Sequence, residues 1–401
     1  MLKEIRTEIG VVLLILYMLL LSGSVLNAVY SGLFTLNLVV TFCLTAFFII
    51  KKSFIKLNAR EIILFFFLCY LIINIIVSMI LWDEWPYLQS YMANYSFFFM
   101  SFYISRKLDY NLFVKVYVKV MVVIAIISLV CYFFNGILQI LPSVELKDGV
   151  YQFYFIYNRM PSAPTRNCGI FWEPGMYQGF LAMAILFVQN KIKLEKIDII
   201  QLIILYITIV TTYSTTGYIV MVLLFSLLLI KKIRKNSIKI LIFLFLVLSA
   251  VFIVAFSDYV IAFLVKYLPE IVTKKIIHQD TSFLTRQNSV LYDMIIALQN
   301  PLGVGIVHLE EFLQNLGRTR GVILDANTNT IGKAFVYFGI IGGGYYLYIW
   351  ISGVFRRYKD AISNIILFVI IMIIINTEPH LYTLFFNTLA FYWFSIQRNE
   401  V

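Results

Sequence analysis

Residues 62–81 read IILFFFLCYLIINIIVSMIL, an apolar run interrupted only by Asn74 and Ser78 among the residue types that most resist burial. As a helix rising 1.5 Å per residue, such a run spans about 30 Å, the thickness of a bilayer's hydrocarbon core. It lacks the alternation of a barrel strand, and lipid offers no partner to backbone amides, so the stretch reads as a transmembrane helix. Similar runs lie on both sides of it. Together they predict helices near 9–30, 33–50, 62–81, 88–105, 115–137, 172–190, 197–212, 216–231, 239–257, 331–354, 361–376 and 380–396, an all-α polytopic membrane protein with about twelve spans.

Composition leads to the same class. A chain of 401 residues that is 61% hydrophobic and 13% charged has too much apolar surface for a soluble core to absorb. The net charge of +11 raises the question of nucleic acid, but the cations sit in short clusters between apolar runs and no hydrophilic domain carries them. No nucleic-acid partner is expected. The clusters instead mark topology: Lys51, Lys52, Lys56 and Arg60; Arg106 and Lys107; Lys191, Lys193 and Lys196; Lys231, Lys232, Arg234, Lys235 and Lys239; and Arg356, Arg357 and Lys359 occupy every second connector. The links 30–33, 82–88, 211–217 and 376–380 contain no Lys or Arg. The excess of cations on the cytoplasmic side of membrane proteins therefore puts both termini in the cytoplasm. Lys3 and Arg6 precede an apolar stretch that is long and lacks a small-x-small cleavage site, so it is expected to remain as the first helix.

This scheme leaves two long extracytoplasmic segments, about 138–171 and 258–330, both carrying cations where topology disfavours them. Apolar spacing around Ile261–Tyr267 and Val290–Leu298 predicts amphipathic helices in the second. Trp82, Asp83, Glu84 and Trp85 read as an interfacial loop with an aromatic belt. Cys43, Cys69 and Cys131 fall in apolar runs and only Cys168 in a loop, so neither a disulfide framework nor a cysteine metal site is expected.

Candidate chemistry gathers in four places. Thr165 to Gly179 holds Arg166, Glu173, Pro174 and three glycines at the mouth of a helix; Pro174 and Gly175 suit its first turn, Glu173 suits the positive end of that helix as a cap, and Arg166 can meet lipid head groups. Thr211-Thr212-Tyr213-Ser214-Thr215-Thr216-Gly217 interrupts an apolar run of 34 residues, 197–230, and must turn the chain; Tyr213 and Ser214 can satisfy backbone groups there or bond a sugar. Arg286 precedes an amphipathic segment that leads to Asn300-Pro301-Leu302-Gly303-Val304-Gly305, where it either snorkels to the interface or grips a pyrophosphate with its forked guanidinium. Asp325 and Asn329-Thr330 lead into the helix at 331–354, whose Gly339, Gly342, Gly343 and Gly344 signal close helix packing. The three histidines are too scattered to propose a metal site, and there is no Asp-x-Asp to hold a cation on a nucleotide sugar.

These segments, in this order, resemble the O-antigen polymerase and ligase superfamily. The resemblance rests on Arg166, Gly169, Phe171, Glu173, Pro174 and Gly175; on Tyr213 to Gly217; on Arg286 followed by Asn300 to Gly305; and on Asn329-Thr330 before Gly339 to Gly342. It covers about residues 150–345, and the first five helices match in hydropathy alone. It implies a glycosyltransferase of the membrane-embedded GT-C class, inverting and metal-independent, needing no cofactor. Donor and acceptor would be undecaprenyl-pyrophosphate-linked oligosaccharides, joined into O-antigen or capsular polysaccharide, with membrane lipid and a chain-length regulator protein as partners.

On this resemblance Arg166 and Arg286 bind pyrophosphate, Glu173 or Asp325 accepts the proton, and Tyr213, Ser214 and Asn329 contact sugar. Ligases of the superfamily often place a histidine where this chain has Thr328, which favours polymerase. The competing readings are a ligase and a flippase or transporter of the same lipid-linked sugars. Transporters tend to have short external loops and charges within the membrane.

Overall fold

The computed structural model describes residues 2–25, 39–43, 46, 57–146, 151–161, 163–191, 193–233, 235–255, 281–320 and 329–395. Most of the expected helix at 33–50 and the expected Ile261–Tyr267 helix lie outside them. The chain is mostly helical: α1 (Leu2–Leu21), α2 (Ala59–Trp82), α3 (Leu88–Lys107), α4 (Tyr110–Phe133), α5 (Pro174–Gln189), α6 (Lys196–Thr211), α7 (Thr215–Lys232), α8 (Asn236–Ala255), α9 (Thr281–Gln299), α10 (Leu309–Arg320), α11 (Thr330–Val354), α12 (Ala361–Thr377) and α13 (Leu384–Ser395). Among the described residues α2, α4, α7 and α11 are long and apolar enough to cross a membrane. The Val290–Leu298 segment forms the second half of α9, as its spacing predicts.

The 138–171 segment is not irregular throughout. It folds a small antiparallel sheet, β1 (Val144–Leu146), β2 (Tyr151–Phe153) and β3 (Asn158–Arg159), with Glu145 opposite Gln152 and Gln152 opposite Arg159. Strands of two or three residues are too short to leave a legible alternation in sequence.

Every residue of α5 is buried, and α13 is buried from Leu384 to Phe394. A helix apolar all round belongs inside a bundle, and α5 packs against α4, α6 and α7 while α13 packs against α3 and α11. The outer helices do the reverse. On α2, Phe66, Ile73 and Ile80 are 61%, 56% and 68% exposed, an apolar stripe that water would not tolerate and lipid would.

The described residues of the basic connectors gather at one end of the bundle. There Arg106 pairs with Glu61 at 2.8 Å, and Arg357 donates to the Tyr110 hydroxyl at 2.9 Å. Lys231 donates to Asn190 Oδ1 at 2.9 Å, an atom that also accepts from the Tyr358 hydroxyl at 2.6 Å. The candidate segments lie at the opposite ends of the same helices.

Candidate functional site

The first segment is anchored before its helix begins. Trp172 N–H donates to the Gly23 carbonyl at 3.1 Å, tying the chain to the end of α1. Asn167 is buried and spans three elements: its Nδ2 donates to Ser128 Oγ on α4 (3.2 Å) and to Thr211 Oγ1 on α6 (3.0 Å), and its Oδ1 accepts from Gly169 N–H (3.0 Å). Beside it Arg166 Nε donates to the Thr212 carbonyl at 3.2 Å. A guanidinium belongs there, because the last carbonyls of α6 carry the negative end of its dipole. The Arg166 and Tyr213–Gly217 segments, some 46 residues apart in the chain, therefore share one neighbourhood.

In that turn Tyr213 takes a left-handed conformation (φ 47°), and Ser214 N-caps α7 by accepting from Gly217 N–H at 3.3 Å. Ser214 thus has a backbone-satisfying role. Glu173 occupies the N-cap position of α5 and Pro174 its first turn, but the Glu173 side chain makes no capping hydrogen bond. The carboxylate at the first turn of α5 belongs instead to buried Glu378, packed so tightly on Gly175 that any Cβ there would collide with it. A buried carboxylate is favoured at this positive helix end.

Glu378 belongs to the turn between α12 and α13, and that turn also receives the fourth segment. Thr330 Oγ1 donates to the Glu378 carbonyl at 3.0 Å and accepts from His380 N–H at 2.8 Å, while Ile331 N–H donates to Asn376 Oδ1 at 2.9 Å. Asn329 N-caps α11 by accepting from Gly332 N–H at 3.1 Å. Residues 376–380 thus join the Glu173-Pro174-Gly175 and Asn329-Thr330 segments. In sequence they are notable only for lacking cations.

The third segment packs into a break in α11. Gly339 (φ 71°) interrupts that helix, and the backbone groups this frees find partners. Ile340 N–H donates to Pro301 O (2.9 Å), Val304 N–H to Val336 O (2.9 Å), and the Tyr70 hydroxyl to Phe338 O (2.6 Å). Asn74, one of the two polar positions in 62–81, donates to Leu302 O at 3.3 Å and accepts from the Tyr95 hydroxyl at 2.8 Å.

The loop after α2 departs from the interfacial expectation in part. Trp85 is exposed, but Glu84 is buried, accepting from the Tyr91 hydroxyl and from Val307 N–H (3.3 Å), and the Trp82 indole donates to Gly303 O at 3.0 Å. A carboxylate flanked by tryptophans reads as membrane interface, and nothing local announces backbone donors arriving from more than 200 residues away.

Between these parts lies a cavity of about 380 Å³, walled by the end of α1 (Ser22), by α3 (Asn94), by Trp172 and Met176, by α11 (Lys333, Tyr337) and by the turn after α12 (Tyr382). Among the described residues Lys333 is its one charged lining residue, and nothing in its sequence setting marks it. Arg166 lines no part of it. Arg286 lies on α9, which packs along α11, but its side chain is outside the described residues, as is Asp325. Among the described residues no three of His, Cys, Asp or Glu come together as a metal site.

Electrostatics near the sheet disfavour thiol chemistry. Burial pushes the Cys168 thiol up to about 12, with the Arg166 charge pulling the other way and the Glu173 charge adding to the rise, so the thiolate is scarce at neutral pH. In comparisons with known proteins, no family model matches the chain and no curated protein sequence matches it.

Proposed function

We propose that this protein is an oligosaccharide repeat-unit polymerase of the bacterial cytoplasmic membrane, joining undecaprenyl-pyrophosphate-linked glycans on the extracytoplasmic side. The proposal includes about twelve spans, a GT-C-like architecture and cytoplasmic termini. One observation carries it. Segments far apart in sequence, including Arg166–Gly175, Tyr213–Gly217 and Asn329–Thr330, meet at the end of the bundle away from the basic connectors.

In the reaction, a hydroxyl of one lipid-linked repeat attacks the anomeric carbon of the growing glycan from the face opposite its pyrophosphate. A new glycosidic C–O bond forms, the anomeric C–O bond to phosphate breaks, and the lipid pyrophosphate departs with the electron pair. Arg166 and Arg286 stabilise that charge, which counts most where water is scarce. Glu173, held at the mouth of α5 without a capping bond, takes the hydroxyl proton; Asp325 is the second candidate. Tyr213, Ser214 and Asn329 border the sugar.

The test is substitution. Arg166→Ala and Arg286→Ala should each slow polymer formation by about two to three orders of magnitude, the loss of roughly 2–4 kcal/mol of transition-state stabilisation. Arg→Lys should restore little, because an ammonium cannot reproduce the bidentate fork. Glu173→Gln should also slow the reaction while leaving the protein folded. Full-length polymer at the wild-type rate from both arginine variants would remove the pyrophosphate assignment.

A further inference from the structure

We infer that the cavity is an oxyanion-binding subsite with Lys333 as its charge, a cation additional to Arg166 and Arg286. The source of the oxyanion rests on the polymerase reading: it is either the pyrophosphate of a lipid-linked glycan or the carboxylate of an acidic sugar within it.

Three observations converge. First, among the described residues Lys333 is the only charged one of the thirteen that line the space, and most of the others are apolar or aromatic. An ammonium in such surroundings is costly to keep without a counter-charge. Among the described residues the Lys333 ammonium has no hydrogen-bond or ion-pair partner. The acidic groups whose field reaches it, Asp293 and Glu310, lie on α9 and α10 rather than in the cavity walls. Asp293 is packed against Gly332 so closely that any Cβ there would collide with its carboxylate.

Second, two wall residues carry hydroxyls that are buried and unbonded among the described residues, Ser22 Oγ and the Tyr382 hydroxyl, each on a rotatable bond beside the cavity. Buried hydroxyls without partners are uncommon in folded proteins and are donors waiting for an acceptor. An oxyanion gives the ammonium a counter-charge and offers the hydroxyls an acceptor, whereas a neutral apolar guest does neither.

Third, a space of about 380 Å³ falls within the range of roughly 300–1,000 Å³ typical of small-ligand sites. Trp172, Tyr337 and Tyr382 supply aromatic walls of the kind that pack against sugar rings, and Asn94 adds an amide. The mixture suits a phosphate or carboxylate group together with an adjoining sugar ring.

The experiment titrates purified full-length protein in detergent with inorganic pyrophosphate and, separately, with glucuronate, reading thermal midpoint and tryptophan fluorescence. One of the two anions should bind the wild type, and its identity names the source. Lys333→Met, which keeps the side chain's length without its charge, should weaken that binding at least tenfold. Lys333→Arg should stay within about threefold. Without ligand, Lys333→Met should melt close to the wild type, since the charge it removes is desolvated and has no direct partner among the described residues; this separates lost binding from lost folding. Failure of the wild type to bind either anion, or unchanged binding by Lys333→Met, would overturn the inference. The titration needs no polymerisation. Lys333-dependent binding without polymer would therefore count against the polymerase alone, and polymer formation with unchanged binding by Lys333→Met against this subsite alone.

Discussion

His380 sits in the turn between α12 and α13 with its ring against Phe180 and Phe386, and neither ring nitrogen has a hydrogen-bond partner among the described residues. Burial holds the imidazole neutral and drives its pKa down from 6.5 to about 3. Between those values the unfolded chain binds a proton that the folded one refuses. Stability is thus full above about pH 6.5 and declines as pH falls toward 3, by up to about 1.4 kcal/mol per pH unit. His380→Phe, suited to this aromatic setting, should narrow the gap between thermal midpoints at pH 7.5 and pH 5. An unchanged gap would assign the acid sensitivity elsewhere. In sequence His380 is one scattered histidine, and Lys333 one cation near the start of an apolar helix. Their setting comes from packing partners that no local pattern encodes, whereas Arg166 and Glu173 stand out in sequence as candidates because they lie among glycines and a proline.

At the scale of elements, the glycine run of α11 combines different requirements. Gly339 has a positive φ and lies against the Pro301 and Leu302 backbone, Gly342 lies against the Tyr70 ring, and nothing comes within 4 Å of where a Gly344 Cβ would stand. Gly339→Ala should therefore destabilise the protein by roughly 1–3 kcal/mol, through overpacking and backbone strain together. Gly344→Ala should be neutral, or stabilise by up to about 1 kcal/mol through helix propensity. Thermal unfolding of the two variants checks this, and equal behaviour would contradict the break in α11 as a packed joint. Sequence reading anticipated close packing at these glycines, but not that one of them breaks the helix to receive Asn300–Val304. The apolar runs themselves were legible because a bilayer forces any such run to be helical, whereas the short strands and buried Glu84 follow from contacts distant in the chain.

For the whole molecule, basic connectors at one end and candidate segments at the other make orientation the deciding property. In a Cys43→Ser background, Glu145→Cys and Lys232→Cys place thiols on exposed positions at the two ends. A membrane-impermeant maleimide applied to intact cells should label Glu145→Cys and leave Lys232→Cys unlabelled, with buried Cys168 silent in both. The opposite pattern would put the proposed site on the wrong side of the membrane for its substrate. The central claim is polymerisation itself. Purified protein reconstituted in liposomes with undecaprenyl-pyrophosphate-linked repeat units, chelator present, should yield products that resolve on a gel as a ladder of increasing repeat number. A single transfer to another acceptor, or no product from protein shown to be folded and correctly inserted, would contradict it.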